Sequence, residues 1–199
     1  MSADGEANII GASIALPRFQ DKDFDTEAFE DAIRLVVRVL DVAHGSQGAS
    51  PRRPIVIRLE GLAALLMRAG IAYDSDEGRT CAASIAALAH AAAIAESASL
   101  AQTKAAYPEW SRAKRGEEAA VKIAREAANA LDGPIAAHAQ AIYRALPGAK
   151  NAGLRLSISL AFANDAASAR RIGAASIGLS PSIGVAAFGI RADGGFGRL

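Results

Sequence analysis

Cysteine, histidine and paired carboxylates are the side chains most often used for chemistry, and this sequence of 199 residues contains a single cysteine, Cys81. One cysteine excludes an intramolecular disulfide, a thiolate metal cluster and a dithiol redox pair. Near a helix start the helix dipole could stabilise a thiolate, but the alanines around Cys81 favour a small buried residue. We therefore predict no catalytic role for this thiol.

The three histidines, His44, His90 and His138, are isolated from one another in the sequence. None of them lies at a metal-ligand spacing from cysteine or from another histidine. We interpret them as surface histidines or as histidines with a hydrogen-bond partner. The sequence therefore predicts no metal site, no Ser-His-Asp catalysis and no other catalytic residue of its own.

An acidic segment, Asp21-Lys22-Asp23-Phe24-Asp25, resembles the opening of a calcium-binding loop, in which oxygen ligands alternate along the chain. Such a loop also requires glycine at its sixth position and glutamate at its twelfth, where this sequence has Thr26 and Ala32. The favoured interpretation is the acidic start of a helix, since carboxylates there are stabilised by the helix dipole.

Glycines and basic clusters are the remaining candidates for an anion site. Gly173, Gly178 and Gly184 match neither of the phosphate-loop patterns, GxGxxG and GxxxxGK, so we interpret them as turn and strand-end glycines. The basic clusters, with only Trp110 as a nearby aromatic, are interpreted as solvated faces: Arg52-Arg53, Arg112-Lys114-Arg115 and Arg170-Arg171. A net charge of +1 predicts neither nucleic acid nor a membrane as a partner.

Composition predicts the kind of core that must position these residues. Apolar residues make up 51% of the chain and aromatics only 5%, so Ala, Leu, Ile and Val must form a core of closely packed helices. The length fits a single domain over residues 1–199, with a glycine-rich segment at about 173–199. The acidic N-terminus and a longest apolar run at residues 81–95, judged too polar and too short to span a bilayer, predict a cytoplasmic protein.

The first part of the chain predicts a strand followed by a helix. Residues 8–16 form a short apolar run with β-branched side chains, typical of a strand. Asp25 is expected to cap the next helix, with Phe24 packing onto Phe29. This helix is expected to end near Gly45.

A second strand-to-helix unit follows. Residues 54–59 predict a strand that leads into a helix over 60–68, which stops at Gly70. Asp74, with Glu77 three residues later, is the expected N-cap of a long alanine-rich helix. The pattern is completed by helices over 109–131 and 134–146 and by strands over 154–162 and 185–190. The predicted fold class is helix-rich α/β.

A specific motif lies at residues 61–79, GLAALLMRAGIAYDSDEGR. It closely resembles a stretch of the large subunit of adenosylcobalamin-dependent (class II) ribonucleotide reductase, where a similar motif follows a strand and opens a long helix. The resemblance extends upstream to residues 24–29 and downstream to Lys150-Asn151-Ala152. It implies part of the second half of a ten-stranded α/β barrel. In that family a cobalamin-generated thiyl radical reduces a ribonucleotide, and a second cysteine pair supplies electrons.

The resemblance also implies residues that this sequence lacks. The radical cysteine of the family lies in an Asn-x-Cys-x-Glu motif, to which nothing here corresponds. A redox cysteine is expected just ahead of residues 12–16, where Ala7-Asn8-Ile9 stand instead. The family's phosphate loop, Pro-Thr-Gly-Thr, is replaced around residues 162–168, where Asp165 would repel a phosphate.

Three hypotheses follow. The first is a degenerate relative of the reductase large subunit, without catalysis or a cofactor of its own, that acts as a binding or accessory protein. Its expected partners are a second copy or another protein, and nucleotide is a candidate ligand. The second is a split component of a vitamin B12-dependent ribonucleoside-diphosphate reductase, which would bind adenosylcobalamin and take its cysteines from a partner chain. The third is an alanine-rich helical interaction protein whose resemblance is only architectural.

Overall fold

A three-stranded parallel sheet organises the chain. The computed structural model describes residues 9–46, 50–146, 153–162, 166–181, 188–190 and 196–198. The strands lie in the order β1 (Ile10–Ala15), β2 (Pro54–Glu60) and β3 (Ser157–Ala161). β1 and β3 both pair with β2 in parallel. The predicted strands over 8–16 and 54–59 are confirmed, and the third begins later than residue 154.

Helices form most of the described chain, which confirms the helix-rich α/β class. In chain order they are a 3-10 turn (Leu16–Phe19), α1 (Thr26–Ser46), α2 (Leu62–Ala69), α3 (Asp76–Lys104), α4 (Trp110–Asn129), α5 (Pro134–Ala145) and α6 (Ala166–Arg171). A short antiparallel ladder pairs β4 (Phe188–Ile190) with β5 (Phe196–Arg198). Neither α6 nor β5 was predicted from the sequence. Of the predicted strand over 185–190, residues 185–187 lie outside the described residues.

The start of α1 follows the sequence prediction. The Asp25 carboxylate accepts a hydrogen bond from the Ala28 N–H at 2.9 Å, which satisfies one of the free donors of the first turn. The Phe24 ring packs edge-on against Phe29, with the ring centroids 5.2 Å apart. The helix then runs to Ser46, one residue beyond the predicted end.

The alanine-rich helix α3 is the centre of the core. Its small side chains let α1 and α5 pack closely, and its buried residues include Leu88, Ala89 and Ala92. By length and composition α3 could cross a membrane, but 61% of its most apolar window is buried inside the protein. The apolar run at residues 81–95 is only part of this helix, so the whole helix passes a test of length that the run alone does not. Its burial is that of a core helix.

Two local boundaries differ from the prediction. Ser75, rather than Asp74, caps α3: its backbone is extended and its hydroxyl accepts from the Gly78 N–H at 3.0 Å. Asp74 instead pairs with Arg79 at 2.8 Å. The helix predicted to start at residue 60 starts at Leu62, because Glu60 is the last residue of β2 and Gly61 is the N-cap of α2.

Candidate functional site

The C-terminal ends of parallel strands are the edge at which α/β folds usually carry their functional residues. In this sheet β1 and β2 end side by side at Ala15 and Glu60, and β3 ends beside them at Ala161. Ser13 of β1 and Ser168 of α6 are hydrogen-bonded through their hydroxyls at 2.8 Å, which brings α6 to the same edge. We therefore take this edge as the candidate site.

Glu60 is the buried carboxylate of this edge. Glu60 is fully buried, and one of its carboxylate oxygens accepts a hydrogen bond from the Gly178 N–H at 2.7 Å. Because a carboxylate is buried only when donors compensate for lost water, this bond fixes the segment around Gly178 over the sheet edge. This role was not predicted, because the sequence pattern placed Glu60 in a helix. An acid placed directly before Gly61 at a strand end was the available signal.

The start of α2 lies beneath that same segment. The Leu62 N–H donates to the Gly178 carbonyl at 3.2 Å, and the Ala64 N–H donates to the Ser176 hydroxyl at 3.1 Å. Free N–H groups at a helix start are the usual donors to a phosphate. Here two of them are already bonded to the chain's own segment.

Three glycines shape this edge. Gly61 has φ +89, and a side chain there would place its Cβ 2.5 Å from the Ala174 carbonyl oxygen. Gly173 (φ +68) follows α6, and Gly178 (φ +46) lies in the covering segment. The prediction that Gly173 and Gly178 are turn glycines is confirmed, whereas Gly184 lies outside the described residues.

Cys81 is part of the core rather than of this edge's polar surface. It is half-buried on the second turn of α3 and packs against the main hydrophobic core. Burial raises the pKa of the Cys81 thiol, and the nearby Glu77 carboxylate raises it further. The neutral thiol is therefore favoured, which is the opposite of an activated thiolate. Of the expected redox position Ala7-Asn8-Ile9, the first two residues lie outside the described residues, as does the loop residue Asp165.

Each histidine has a structural partner. His44 is buried, with Nε2 at 2.8 Å from the Pro54 carbonyl oxygen. His90 and the Tyr143 hydroxyl are hydrogen-bonded at 2.6 Å, and burial lowers the pKa of His90. His138 lies 2.6 Å from Glu30 on α1. Among the described residues, no group of three or more histidine, cysteine or acidic side chains could hold a metal ion.

A cluster of three cations around one carboxylate lies at the opposite edge of the sheet. The buried Asp41 carboxylate accepts from Arg53 at 2.7 Å, from Lys104 at 2.7 Å and from Arg155 at 2.9 Å. Burial alone would raise the pKa of Asp41, but the hydrogen bonds from these three cations lower it. The cluster joins the end of α1, the start of β2, the end of α3 and the approach to β3. Its location at the N-terminal edge indicates a role in stability.

The basic clusters are only partly the solvated faces that the sequence predicted. Arg53 is 8% exposed and bound to Asp41, so the prediction was wrong for this residue. Arg112, Arg170 and Arg171 are exposed, as predicted.

The fold and the motif together define the protein class. The model of the ribonucleotide reductase barrel domain matches residues 11–188, so the chain belongs to this family. A curated relative, the vitamin B12-dependent ribonucleotide reductase of Rhodopirellula baltica (strain DSM 10527 / NCIMB 13988 / SH1), is 37% identical over 101 residues. The matched stretch covers 45% of this chain and 10% of that relative. The chain thus corresponds to part of a large-subunit-like protein.

The motif at residues 61–79 lies where the resemblance places it. It follows β2, forms α2 and runs into the first turn of α3. A strand followed directly by a helix between Pro54 and Gly70, within a parallel sheet, is the βα geometry of such a barrel. This geometry, with the family match, contradicts the third hypothesis, in which the resemblance was only architectural.

Proposed function

We propose that this chain is a degenerate ribonucleotide-reductase-like protein that does not catalyse the reaction alone and acts as a binding or accessory protein. Reduction of a ribonucleotide by sulfur radicals needs several thiols close together, and the 199 residues contain only Cys81. The proposal depends mainly on the environment of that thiol. It is half-buried in the core, and its pKa is raised by burial and by Glu77.

The residues of the candidate edge support the same proposal. Adenosylcobalamin would supply radical chemistry to a nearby thiol, and the described residues at the strand ends include no thiol for it to act on. The donors at the start of α2, which could hold a phosphate, are bonded to Ser176 and Gly178. The residues present therefore do not fit the cofactor's chemistry.

Turnover of the purified chain tests this proposal. The protein is incubated with adenosylcobalamin, a dithiol reductant and ribonucleoside di- or triphosphates, and deoxyribonucleotide is measured by chromatography. We expect no product above a reaction without protein. Product that is formed by the wild type and lost in Cys81→Ser would refute the proposal, because it would make this thiol the reacting group.

The binding function has its own test. A ligand that binds only the folded chain must raise its thermal stability. Nucleotides and cobalamins are therefore compared in a thermal-shift assay at concentrations well above their expected dissociation constants. A shift with nucleotide would reveal a ligand site that does not use the two bonded donors at the start of α2, whereas no shift with either ligand would favour a protein as the partner.

A split component of a vitamin B12-dependent reductase is the second candidate. It is favoured by the retained family motif at residues 61–79 and by the parallel pairing of β1 and β3 with β2. This function requires a partner polypeptide with the Asn-x-Cys-x-Glu motif. Co-purification of such a partner, with turnover by the pair and none by either chain alone, would establish it over the first candidate.

We also propose a cytoplasmic location and association either with a second copy or with another protein. β1 lies at one end of the described three-stranded sheet and β3 at the other. Sheet edges expose unpaired backbone donors and acceptors, which proteins cover in several ways. Self-association is the simplest way, and fractionation with a size measurement on the native complex would test both proposals.

A further inference from the structure

The outward face of α1 carries an apolar stripe. Leu35, Val39 and Val42 are 58%, 57% and 66% exposed, although the same helix buries Ile33 and Val37 on its other side. Single exposed apolar side chains are ordinary on a protein surface, but three neighbours on one helix face are not. The helix is therefore apolar on two opposite faces.

The spacing of this stripe is that of a helix-pairing seam. Ala28, Ala32, Leu35, Val39 and Val42 are separated by four, three, four and three residues. Apolar residues that alternate three and four apart keep one seam facing a partner helix in a coiled coil. Ala28 is exposed and Ala32 half-buried, so the seam continues over four turns of α1.

Charges beside the seam indicate which helix would pair with it. Asp31 and Arg38, seven residues apart, both lie on the flank nearer to α3 and are both exposed. If a second copy of α1 packs antiparallel, these flanks face each other. Asp31 of each copy then lies opposite Arg38 of the other. In a parallel pair, the flank with Asp31 and Arg38 would instead face the other flank of the partner helix, which is apolar and includes Val36. The two charges would then have no counterpart.

We propose that two copies of this chain associate through antiparallel α1 helices, with a two-fold axis close to Leu35. Arg38 uses its Nε and one terminal nitrogen to bind Glu96 at 2.6 and 3.2 Å, which holds its side chain in place at the flank of the seam. Symmetric, self-complementary contacts are typical of protein dimers. This inference specifies the self-association in the proposed function and does not depend on the loss of catalysis, so either one can fail without the other.

The mass of the chain in solution tests the dimer. In sedimentation velocity from roughly 1 to 100 μM protein, the apparent mass of the wild type should rise from 20.4 kDa to twice that value as the concentration rises. Val39→Glu should raise the dimer dissociation constant by about 100-fold, since two copies of the charge enter one seam. Ile123→Glu on α4, which replaces a side chain that is 66% exposed, is the matched control and should leave the dissociation constant unchanged. A monomeric wild type throughout this range would overturn the proposal.

Disulfide trapping tests the orientation. In a Cys81→Ser background, an added oxidant that accepts the two thiol hydrogens should cross-link Leu35→Cys to itself. A mixture of Ala28→Cys and Val42→Cys should give the mixed dimer, whereas Val42→Cys alone should not cross-link. Self-linking of Val42→Cys would overturn the antiparallel arrangement. Circular dichroism confirms the fold of each variant, and Val42→Lys replaces Val39→Glu in the mass measurement if that variant does not fold.

Discussion

The cluster around Asp41 gives the sharpest prediction about stability. The Asp41 side chain is 2% exposed and accepts from three cations whose side-chain exposure increases from Arg53 (10%) through Arg155 (21%) to Lys104 (45%). Asp41→Asn leaves these cations without their shared anion. Removing one partner of a buried ion pair costs about 3–5 kcal/mol, and partial exposure of the cations places this change near the lower limit, about 3 kcal/mol.

The pH dependence of this loss follows from the pKa of Asp41. The hydrogen bonds hold the pKa of the folded carboxyl below its ordinary value of 3.8. A lowered folded pKa contributes stability that is fully present above the unfolded pKa and is lost as the pH falls through the folded one. The difference between wild type and Asp41→Asn should therefore be constant from pH 7 to about pH 5 and should narrow only below about pH 4.

Urea unfolding followed by circular dichroism measures this difference at each pH. Asp132→Asn is the matched control, because Asp132 is exposed, and it should change the free energy of unfolding by at most about 0.5 kcal/mol. An Asp41→Asn variant within about 1 kcal/mol of wild type at pH 7 would refute the view that this cluster ties four elements together. A difference that narrows already between pH 7 and pH 5 would refute the assignment to this carboxyl.

Two further variants test the candidate edge and the thiol. Gly61→Ala should destabilise the protein by about 2 kcal/mol or more, because φ is positive at this residue and the new Cβ would lie 2.5 Å from the Ala174 carbonyl oxygen. The control Gly116→Ala, where a Cβ meets open space, should stabilise the protein by up to about 1 kcal/mol. Equal changes in the free energy of unfolding, measured in urea, would contradict this account. At neutral pH, Cys81 should react with a disulfide reagent at least about tenfold more slowly in the folded chain than in the urea-unfolded chain, because burial and Glu77 raise the pKa of its thiol. Equal rates would contradict the position of Cys81 in the core.

Local patterns predicted the elements well because their causes are close in sequence. Asp25 caps α1 and Phe24 packs on Phe29 within a few residues of one another. Gly70 ends α2 with a left-handed backbone, as a glycine there predicts. Ser75 was missed in favour of Asp74 because both are good capping residues, and only the backbone geometry distinguishes them.

Long-range contacts could not be predicted in the same way. Arg53 was interpreted as solvated, yet it is buried and donates to the carboxylate of Asp41, twelve residues earlier in the sequence. The backbone of Arg53 has φ +47. Glu60 was assigned to a helix, but its partner Gly178 is 118 residues distant. The partner of a charged side chain cannot be identified from the neighbouring sequence, because its burial depends on the tertiary fold. The family resemblance supplied the barrel-like strand arrangement, and it did not specify these contacts.

The proposed function holds that the chain alone does not reduce a ribonucleotide. A single-turnover reaction tests it most directly: the chain is held in excess over an isotopically labelled ribonucleotide, with adenosylcobalamin and a dithiol, so that even one event per molecule is detected. The account predicts no labelled deoxyribonucleotide from wild type or from Cys81→Ser. Labelled product approaching one per substrate molecule from wild type, and none from Cys81→Ser, would contradict it.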